Sequence, residues 1–585
     1  MPAETRAEVL VAGAGPVGLT AAHELARRGL RVRLVDAASG PARTSRAVAV
    51  HPRTLETFDQ MGMVEAVLRQ GRANRAFTMF ASGRRLVRLE ADYASMPTRY
   101  PYTVVVEQTA TEHALREAVA ALGVTPEWGT RVTGFDQDAD TVRVRLTRAD
   151  GSEEICTADW LVGCDGGHST VRKQLGLPLL GESRDTWMLA DAPVRTALPP
   201  DSIYWVHTGT QALMMVPYAR EGHWRLLDTA PGDRTAQQAP ERFSRKLSAG
   251  LGTAVTVGEP EWTSVFTFQQ RMVPRMHEGR VFVAGDAAHV HSPASGQGMN
   301  TGIQEAYNLA WKLADVARGH AGRPLLRSYD AERVPIGRAL LGSTRTATFL
   351  VQFKNLMAAA ALPVVFTVVR NVPPLRRAIQ RKVLGGMSGL RIGYRDSPLT
   401  RPADAGPGAR RPARRPARGP VPGDRVSAAA ARRPGAPGPD ALAGELRDVR
   451  WTLLHATCAR HRDGAPDAVS ARAAADAAGR HGAWLSVRTL DGRPGTDPGP
   501  LPDPDGALRD ALGLPEGGWL LIRPDGYLAA RGHRLTDAAL ARTLTALDLG
   551  TRTGDGPALL EEPSCTPPAV SDTVLSTSAA GEADR

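Results

Sequence analysis

Residues 281–312 read VFVAGDAAHVHSPASGQGMNTGIQEAYNLAWK. An apolar strand, Val281 to Ala284, runs into Gly285-Asp286. A glycine-rich loop follows, with Pro293, Gly296 and Gly298. Met299-Asn300 then opens an amphipathic helix with apolar positions at Ile303, Tyr307, Ala310 and Trp311. A carboxylate at a strand end holds a sugar hydroxyl. Glycines let backbone approach a flat ligand, and a helix N-terminus presents free N–H groups and partial positive charge. Together these devices suit a flavin: Asp286 for the ribityl chain, the loop and helix end for the ring edge that turns negative on reduction.

The chain's N-terminus carries a matching half-site. Val9-Leu10-Val11 is a short apolar strand leading into Gly13-x-Gly15-x-x-Gly18. A helix pattern runs through Arg28, stops at Gly29, and gives way to a strand, Val32–Val35, ending at Asp36. The first two glycines permit a tight turn against a pyrophosphate, the third lets helix lie on strand, and Asp36 falls where a ribose diol binds. This motif specifies a dinucleotide and fits NAD as well as FAD. A glycine turn that binds nothing is the plain alternative, disfavoured by the strand–turn–helix–strand–acid context.

Residues 159–172 read DWLVGCDGGHSTVR. Another apolar strand ends in Asp-Gly, Asp165-Gly166, followed by Ser169 and Arg172 at a helix start. Alone this is an ordinary strand-to-helix turn. In this order the three segments resemble the single-component (group A) flavoprotein aromatic hydroxylases, which include p-hydroxybenzoate and phenol hydroxylases. Within that family the chain looks closest to the aromatic polyketide hydroxylases and rifampicin-type monooxygenases. The resemblance covers most of residues 7–400, and its most specific part is the GDAAH…PxxGxGxN block. It implies that the N-terminal dinucleotide fold holds FAD, and that the second Asp-Gly segment contacts FAD and helps engage NAD(P)H.

The same resemblance assigns further roles. Ser45-Arg46-Ala47 and His51–Glu56 match the segment lying along the flavin, with Arg46 near the cofactor and the nicotinamide nucleotide. Gln108 matches a glutamine that bonds the ribityl chain, and Pro293 lies over the face where oxygen reacts. Pro293 and Arg46 are thus the expected catalytic positions. Without the resemblance, Arg46 reads as a surface charge, Gln108 as an exposed helix residue and Pro293 as a loop-shaping proline. His289 and His291 read as structural hydrogen-bonders.

The 585 residues exceed one core, so two or three domains are expected. Net charge is +11, carried almost wholly by arginine. The arginines are scattered or sit in a Pro-rich stretch, with no aromatic-interleaved basic stripe, so neither nucleic acid nor membrane is an expected partner. Cys156, Cys164, Cys458 and Cys565 form no CxxC and no zinc spacing. No metal site is expected, and a reduced, cytoplasmic protein is. The apolar run Leu356–Val369 is broken by Pro363 and too short for a normal span.

The pattern predicts an α/β chain. A Rossmann-like FAD-binding monooxygenase domain occupies 1–400, with an inserted antiparallel substrate sheet from about 69–101 and 178–275. Within that sheet the strands expected are Ser202–His207, Ala212–Pro217, His223–Asp228 and Thr263–Thr267. Tyr204, Trp205, Met214, Met215, Tyr218, Trp224, Phe266 and Phe268 lie on or beside them, and alternation sends half away from any pocket. Residues 401–440 read as a mobile Pro/Arg-rich linker. From Trp451 a β-α-β-α-β-β-α order resembles the thioredoxin-like domain of phenol hydroxylase, expected over 441–555. It has no redox CxxC, so packing or a homodimer contact is its expected role. Residues 556–585 are an expected disordered tail.

The reaction implied by the resemblance is NAD(P)H-consuming hydroxylation, through a flavin C4a-hydroperoxide formed with O2, of a phenolic or polycyclic, polyketide-like aromatic. Baeyer–Villiger insertion into a polyketide stays open, as does a non-catalytic flavin-containing protein that binds an aromatic antibiotic. A flavin halogenase is disfavoured because no W-x-W-x-I-P segment is present.

Overall fold

Val9, Leu10 and Val11 are fully buried, as a strand covered on both faces requires. They belong to the strand Ala3–Ala12, interior in a seven-stranded sheet. It pairs in parallel with Val32–Val35 on one side and Glu153–Gly163 on the other, and Val281–Val283 pairs in parallel with the latter. Ala12 stands opposite both Val35 and Gly163, and Gly163 opposite Val283. The register therefore brings Gly13, Asp36, Cys164-Asp165 and Gly285-Asp286 to the same C-terminal edge of the sheet, where open α/β sheets bind ligands.

The molecule is described by a computed structural model over residues 3–91, 93, 96–209, 211–230, 238–291, 296–352, 371–401, 419–456, 468–491 and 499–550. Pro293, Cys458, Cys565, the run Leu356–Val369 and the tail from 551 lie outside the described residues. Met1–Thr551 clusters as one compact unit. Among the described residues no helix is long and apolar enough to cross a membrane.

Most of a second, nine-stranded sheet is inserted between the second and third motifs. Its expected strands form, as Ser202–Thr208, Gln211–Pro217, His223–Asp228 and Trp262–Met272, joined by the long Leu180–Arg195. The earlier segment contributes Ala76–Ala81 and Arg84–Glu90, whereas Arg72–Asn74 pairs with Thr103–Val105 in a small separate sheet. Alternation sorts the two faces. Met188, Met215 and Leu226 pack under the helix Ala239–Leu251, while Leu189, Met214 and Leu227 point the other way with Trp262 and Phe266.

After Trp451 a five-stranded sheet forms. Trp451–Ala456 runs parallel to Leu485–Leu490 and antiparallel to Trp519–Ile522, which hairpins with Leu528–Gly532. Helices Ala468–His481, Ala507–Leu512 and Asp537–Ala546 follow the expected order. One face of this sheet shares a core with the helix Gly298–Ala317 and the chain just after it: Trp311, Ala321 and Leu325 pack with Trp451, Trp519 and Leu521. The later part of the stretch expected as a mobile linker over 401–440 is folded. Residues 402–418 lie outside the described residues, but Ser427–Ala430 and Pro437–Glu445 are helices. Val426, Ala429, Ala430 and Leu442 pair with the other sheet face, so sparse apolar residues at helical spacing suffice to fold this Arg/Pro-rich stretch.

Candidate active site

A cavity of about 780 Å³ opens at the shared sheet edge. Of the residues singled out in sequence, Gly13, Gly15, Asp36, Arg46, Gln108, Asp165, Gly166, Asp286, Gly296, Gly298 and Met299 line it. Gly18, Arg172, Gly285 and Asn300 do not line it, and each has a structural task nearby.

Gly13 has φ +102°, and a Cβ there would run into the carbonyl of Cys164. A Cβ on Gly18 would strike the carbonyl of Gly13, so the third glycine packs helix on turn. Gly15 differs: no protein atom lies within 4 Å of where its Cβ would be. It is the N-cap of the helix Pro16–Arg27, with no side-chain cap and no acidic residue in the first turn. The free N–H groups there face the cavity with positive partial charge. Asp36 bridges the turn, its carboxylate accepting from Ala14 N at 2.7 Å and Ala38 N at 2.8 Å.

Asp165 turns its carboxylate onto the following helix. It accepts from Ser169 Oγ at 2.5 Å and from the N–H groups of Thr170 and Val171 at 2.7 and 3.2 Å. Gly166 is left open to the cavity. Arg172 is buried and donates from Nη1 to the carbonyls of Gly167 and Ala287 at 3.0 and 3.3 Å, tying the second motif to the third.

Asp286 is exposed to the cavity yet deep within the protein. Burial raises its pKa, against the lowering pull of His289 and Arg46. Behind it, Gly285 N donates to Glu305 Oε2 at 2.9 Å, and His289 Nε2 lies 2.8 Å from Glu305 Oε1. Burial disfavours the charged form of either partner, but their mutual attraction prevails. It raises the pKa of His289 and lowers that of Glu305. His289 is thus a buried hydrogen-bonder, while His291 lines the cavity. Asn300 is also buried: Nδ2 donates to the carbonyls of Ala49 and Gly296, both at 2.8 Å, and Oδ1 accepts from His51 N. It braces the loop at the helix start, leaving the uncapped turn at Gly298 open.

Gln108 stands on the cavity wall as the first residue of the helix Gln108–Ala120. Its Oε1 accepts from Ala47 N at 2.9 Å and its Nε2 donates to Glu112 at 2.8 Å. Arg46 is exposed toward the cavity. Its loop is held by a residue that the sequence reading missed, Arg225. This buried guanidinium donates to Asp191 at 2.6 and 2.7 Å, to Arg46 O at 2.9 Å and to Ser45 O at 2.7 Å. It also lies over the rings of Tyr218 and Trp262. The signal was present: an arginine between Trp224 and Leu226-Leu227 in the strand HWRLLD.

The far wall is the inner sheet face, with Leu189, Met214, Leu227, Trp262 and Phe266, relieved by Ser264 and Gln269. Of the sheet candidates, Met214 and Phe266 line the cavity, while Tyr204, Met215 and Trp224 belong to the opposite face; Trp262, which the sequence reading did not single out, lines it as well. The site thus joins a glycine-rich, anion-accepting half to a flat apolar half. Among the described residues no cluster of three or more His, Cys, Asp or Glu is arranged to hold a metal.

This chain is similar to known proteins. A family model described as FAD binding domain matches residues 6–344. The chain is 48% identical over 544 residues to the 6-methylpretetramide 4-monooxygenase of Streptomyces rimosus, spanning 93% of this chain and 94% of that protein. It is 38% identical over 344 residues to the rifampicin monooxygenase of Streptomyces venezuelae, spanning 58% of this chain and 70% of that one. Among solved structures, the anhydrotetracycline hydroxylase from Streptomyces rimosus superposes with a TM-score of 0.69 at 29% identity, covering 93% of this chain and 99% of that chain.

Proposed function

The chain belongs to the FAD-binding family of flavin-dependent aromatic monooxygenases, and we propose that it hydroxylates a polycyclic phenol of polyketide type at the expense of NAD(P)H and O2. The observation that carries this reading is one cavity shared by the three glycine-rich turns and the apolar sheet face.

FAD fits the residues present. A Cβ at Gly15 or Gly166 would meet no protein atom within 4 Å, which leaves space for a ligand to approach the backbone. Two uncapped helix starts, at Pro16 and Gly298, face the same cavity and favour negative charge at two places: one for a pyrophosphate, one for a reduced ring. Asp36, Gln108 and Asp286 would hold ribose and ribityl hydroxyls. When bound, FAD supplies the electron storage and oxygen activation that side chains lack.

The protein's part is placement. Arg225 fixes the loop that presents Arg46, so a cation stands beside the cavity where an anionic nicotinamide nucleotide would dock. Trp262, Phe266 and Met214 offer flat and adaptable apolar contact to a fused-ring substrate and exclude water from it. Ser264 and Gln269 would orient its hydroxyl or carbonyl groups. By the family resemblance, Pro293 would lie over the face where oxygen reacts. We read residues 1–400 as the monooxygenase domain. We read 441–555 as a thioredoxin-like domain without dithiol chemistry, open to a homodimer contact, and the cytoplasm as the site of action.

The test uses purified protein, NADPH and 6-methylpretetramide or ring-related phenols. The expected result is substrate-stimulated NADPH oxidation and a product heavier by one oxygen. Lactone or ring-opened products by NMR would make the reaction a Baeyer–Villiger insertion. Tight aromatic binding without NADPH or NADH consumption would leave a sequestering protein and end the catalytic reading.

A further inference from the structure

A buried chain of polar contacts runs from the Gly285-Asp286 turn to the C-terminal hairpin. Glu305 accepts the Gly285 N–H at 2.9 Å. Arg333 Nη2 lies 3.9 Å from Glu305 Oε1 and donates to the Thr301 carbonyl at 3.3 Å. Its Nη1 donates to the Tyr394 hydroxyl at 3.0 Å. The Tyr394 ring centroid is 4.4 Å from that of Tyr527 and 4.7 Å from the Arg523 guanidinium. Arg523 is in turn clamped to Glu332 at 2.6 Å and to Asp525 at 2.6 Å. The side chains of Glu305 and Arg333 are both 0% exposed.

None of Glu305, Arg333 or Tyr394 lines the cavity. Yet the residue before Asp286 hangs from Glu305, and Thr301 belongs to the first turn of the helix whose start closes the same cavity. Arg333 therefore bonds one of the two pieces of backbone that present the third motif and reaches the other through Glu305, and Tyr394 passes its position on to the hairpin. A buried ion network is weak evidence for stability, since apolar packing serves as well, but it fixes geometry through directed bonds.

We propose that Arg333 and Tyr394 are positioning residues through which the C-terminal hairpin holds the Gly285-Asp286 turn and the Gly298 helix start in register for the cofactor. This rests on the FAD reading above. It gives the C-terminal domain a part in the chemistry without a redox-active thiol.

The experiment compares holoenzyme with Tyr394→Phe and Arg333→Lys. Tyr394→Phe keeps the ring against Tyr527 and Arg523 and deletes one hydroxyl. Arg333→Lys keeps the charge and loses the fork. Flavin released on dilution is read by fluorescence, the flavin midpoint potential by dye equilibration, and kcat and KM by NADPH oxidation. The expected result is a rise of about tenfold in the FAD dissociation constant for Arg333→Lys, the size of one lost charge-assisted hydrogen bond. Tyr394→Phe should show a smaller rise. Both variants should show a displaced potential and lower kcat, with substrate KM unchanged. A lower thermal midpoint with unaltered flavin release and potential overturns the proposal and leaves a merely structural contact. If Arg333→Lys fails to fold, Tyr394→Phe decides alone. Absence of flavin from the unsubstituted protein would overturn the cofactor reading itself, and that is seen before any variant is made.

Discussion

Arg225 Nη2 donates to the carbonyl of Ser45 at 2.7 Å, across 180 residues of chain. One guanidinium thereby joins the substrate-facing sheet to the loop that carries Arg46, and a charge pair with Asp191 keeps it in place.

Arg225→Ala should leave Asp191 without its cation. Breaking one partner of a buried pair costs about 3–5 kcal/mol, so the denaturation midpoint should fall clearly. Arg225→Lys restores the charge but cannot hold both carbonyls. That variant should keep its flavin and reduce it with NADPH at least roughly tenfold more slowly, the worth of about 1.4 kcal/mol in the barrier. Stopped-flow reduction at the unsubstituted rate would show that the Arg225 fork does not govern the Arg46 loop.

Gly15→Ala and Gly18→Ala separate ligand space from packing. A Cβ at 18 collides with the Gly13 carbonyl, so that variant should misfold or express poorly. A Cβ at 15 meets no protein atom within 4 Å, so that variant should fold and lose flavin. Circular dichroism and flavin content decide the matter. A flavin-replete Gly15→Ala protein would mean that no ligand approaches this turn.

Asp286 couples cofactor binding to pH. Burial raises its pKa in the folded chain above the ordinary carboxylate value. The folded state then holds this proton more tightly than the unfolded state, so Asp286 costs stability as pH rises through its unfolded and folded pKa values. Asp286→Asn should therefore raise the thermal midpoint of flavin-free protein at pH 7 and leave it unchanged at pH 3. The same substitution should weaken FAD binding about ten- to a hundredfold, a loss of about 1.5–3 kcal/mol. Equal midpoints at both pH values, or unchanged flavin titration, would contradict this role.

A chain cut after Arg401 should not yield a soluble flavoprotein. The cut uncovers Trp311, Ala321 and Leu325, and it removes Arg523 from Glu332 and Arg425 from Glu56. Light scattering should report aggregation. A monodisperse yellow protein from residues 1–401 would show that the shared core is dispensable.

The parts of the site legible in sequence were those set by local spacing. Gly13–Asp36, Asp165-Gly166 and Gly285-Asp286 each follow an apolar strand, and parallel register alone brings the three turns to one edge. Helix and strand order after Trp451 was equally local. Long-range contacts were not legible. Nothing near Arg225 in the chain says that it reaches Ser45, and nothing near Glu305 says that it hangs Gly285. Arg172 and Asn300, expected at the cofactor, instead brace the backbone around it, because both side chains find carbonyl partners inside the protein. Residues 419–440 were masked by composition: arginine and proline hid the few apolar residues that pack.

The most direct test is the origin of the oxygen in the product. Turnover of an aromatic substrate under isotopically heavy dioxygen, with NADPH and purified protein, should place one heavy oxygen atom in each product molecule. Product oxygen drawn from water, or NADPH consumed only to hydrogen peroxide with every phenol tried, would contradict a flavin monooxygenase built on this cavity.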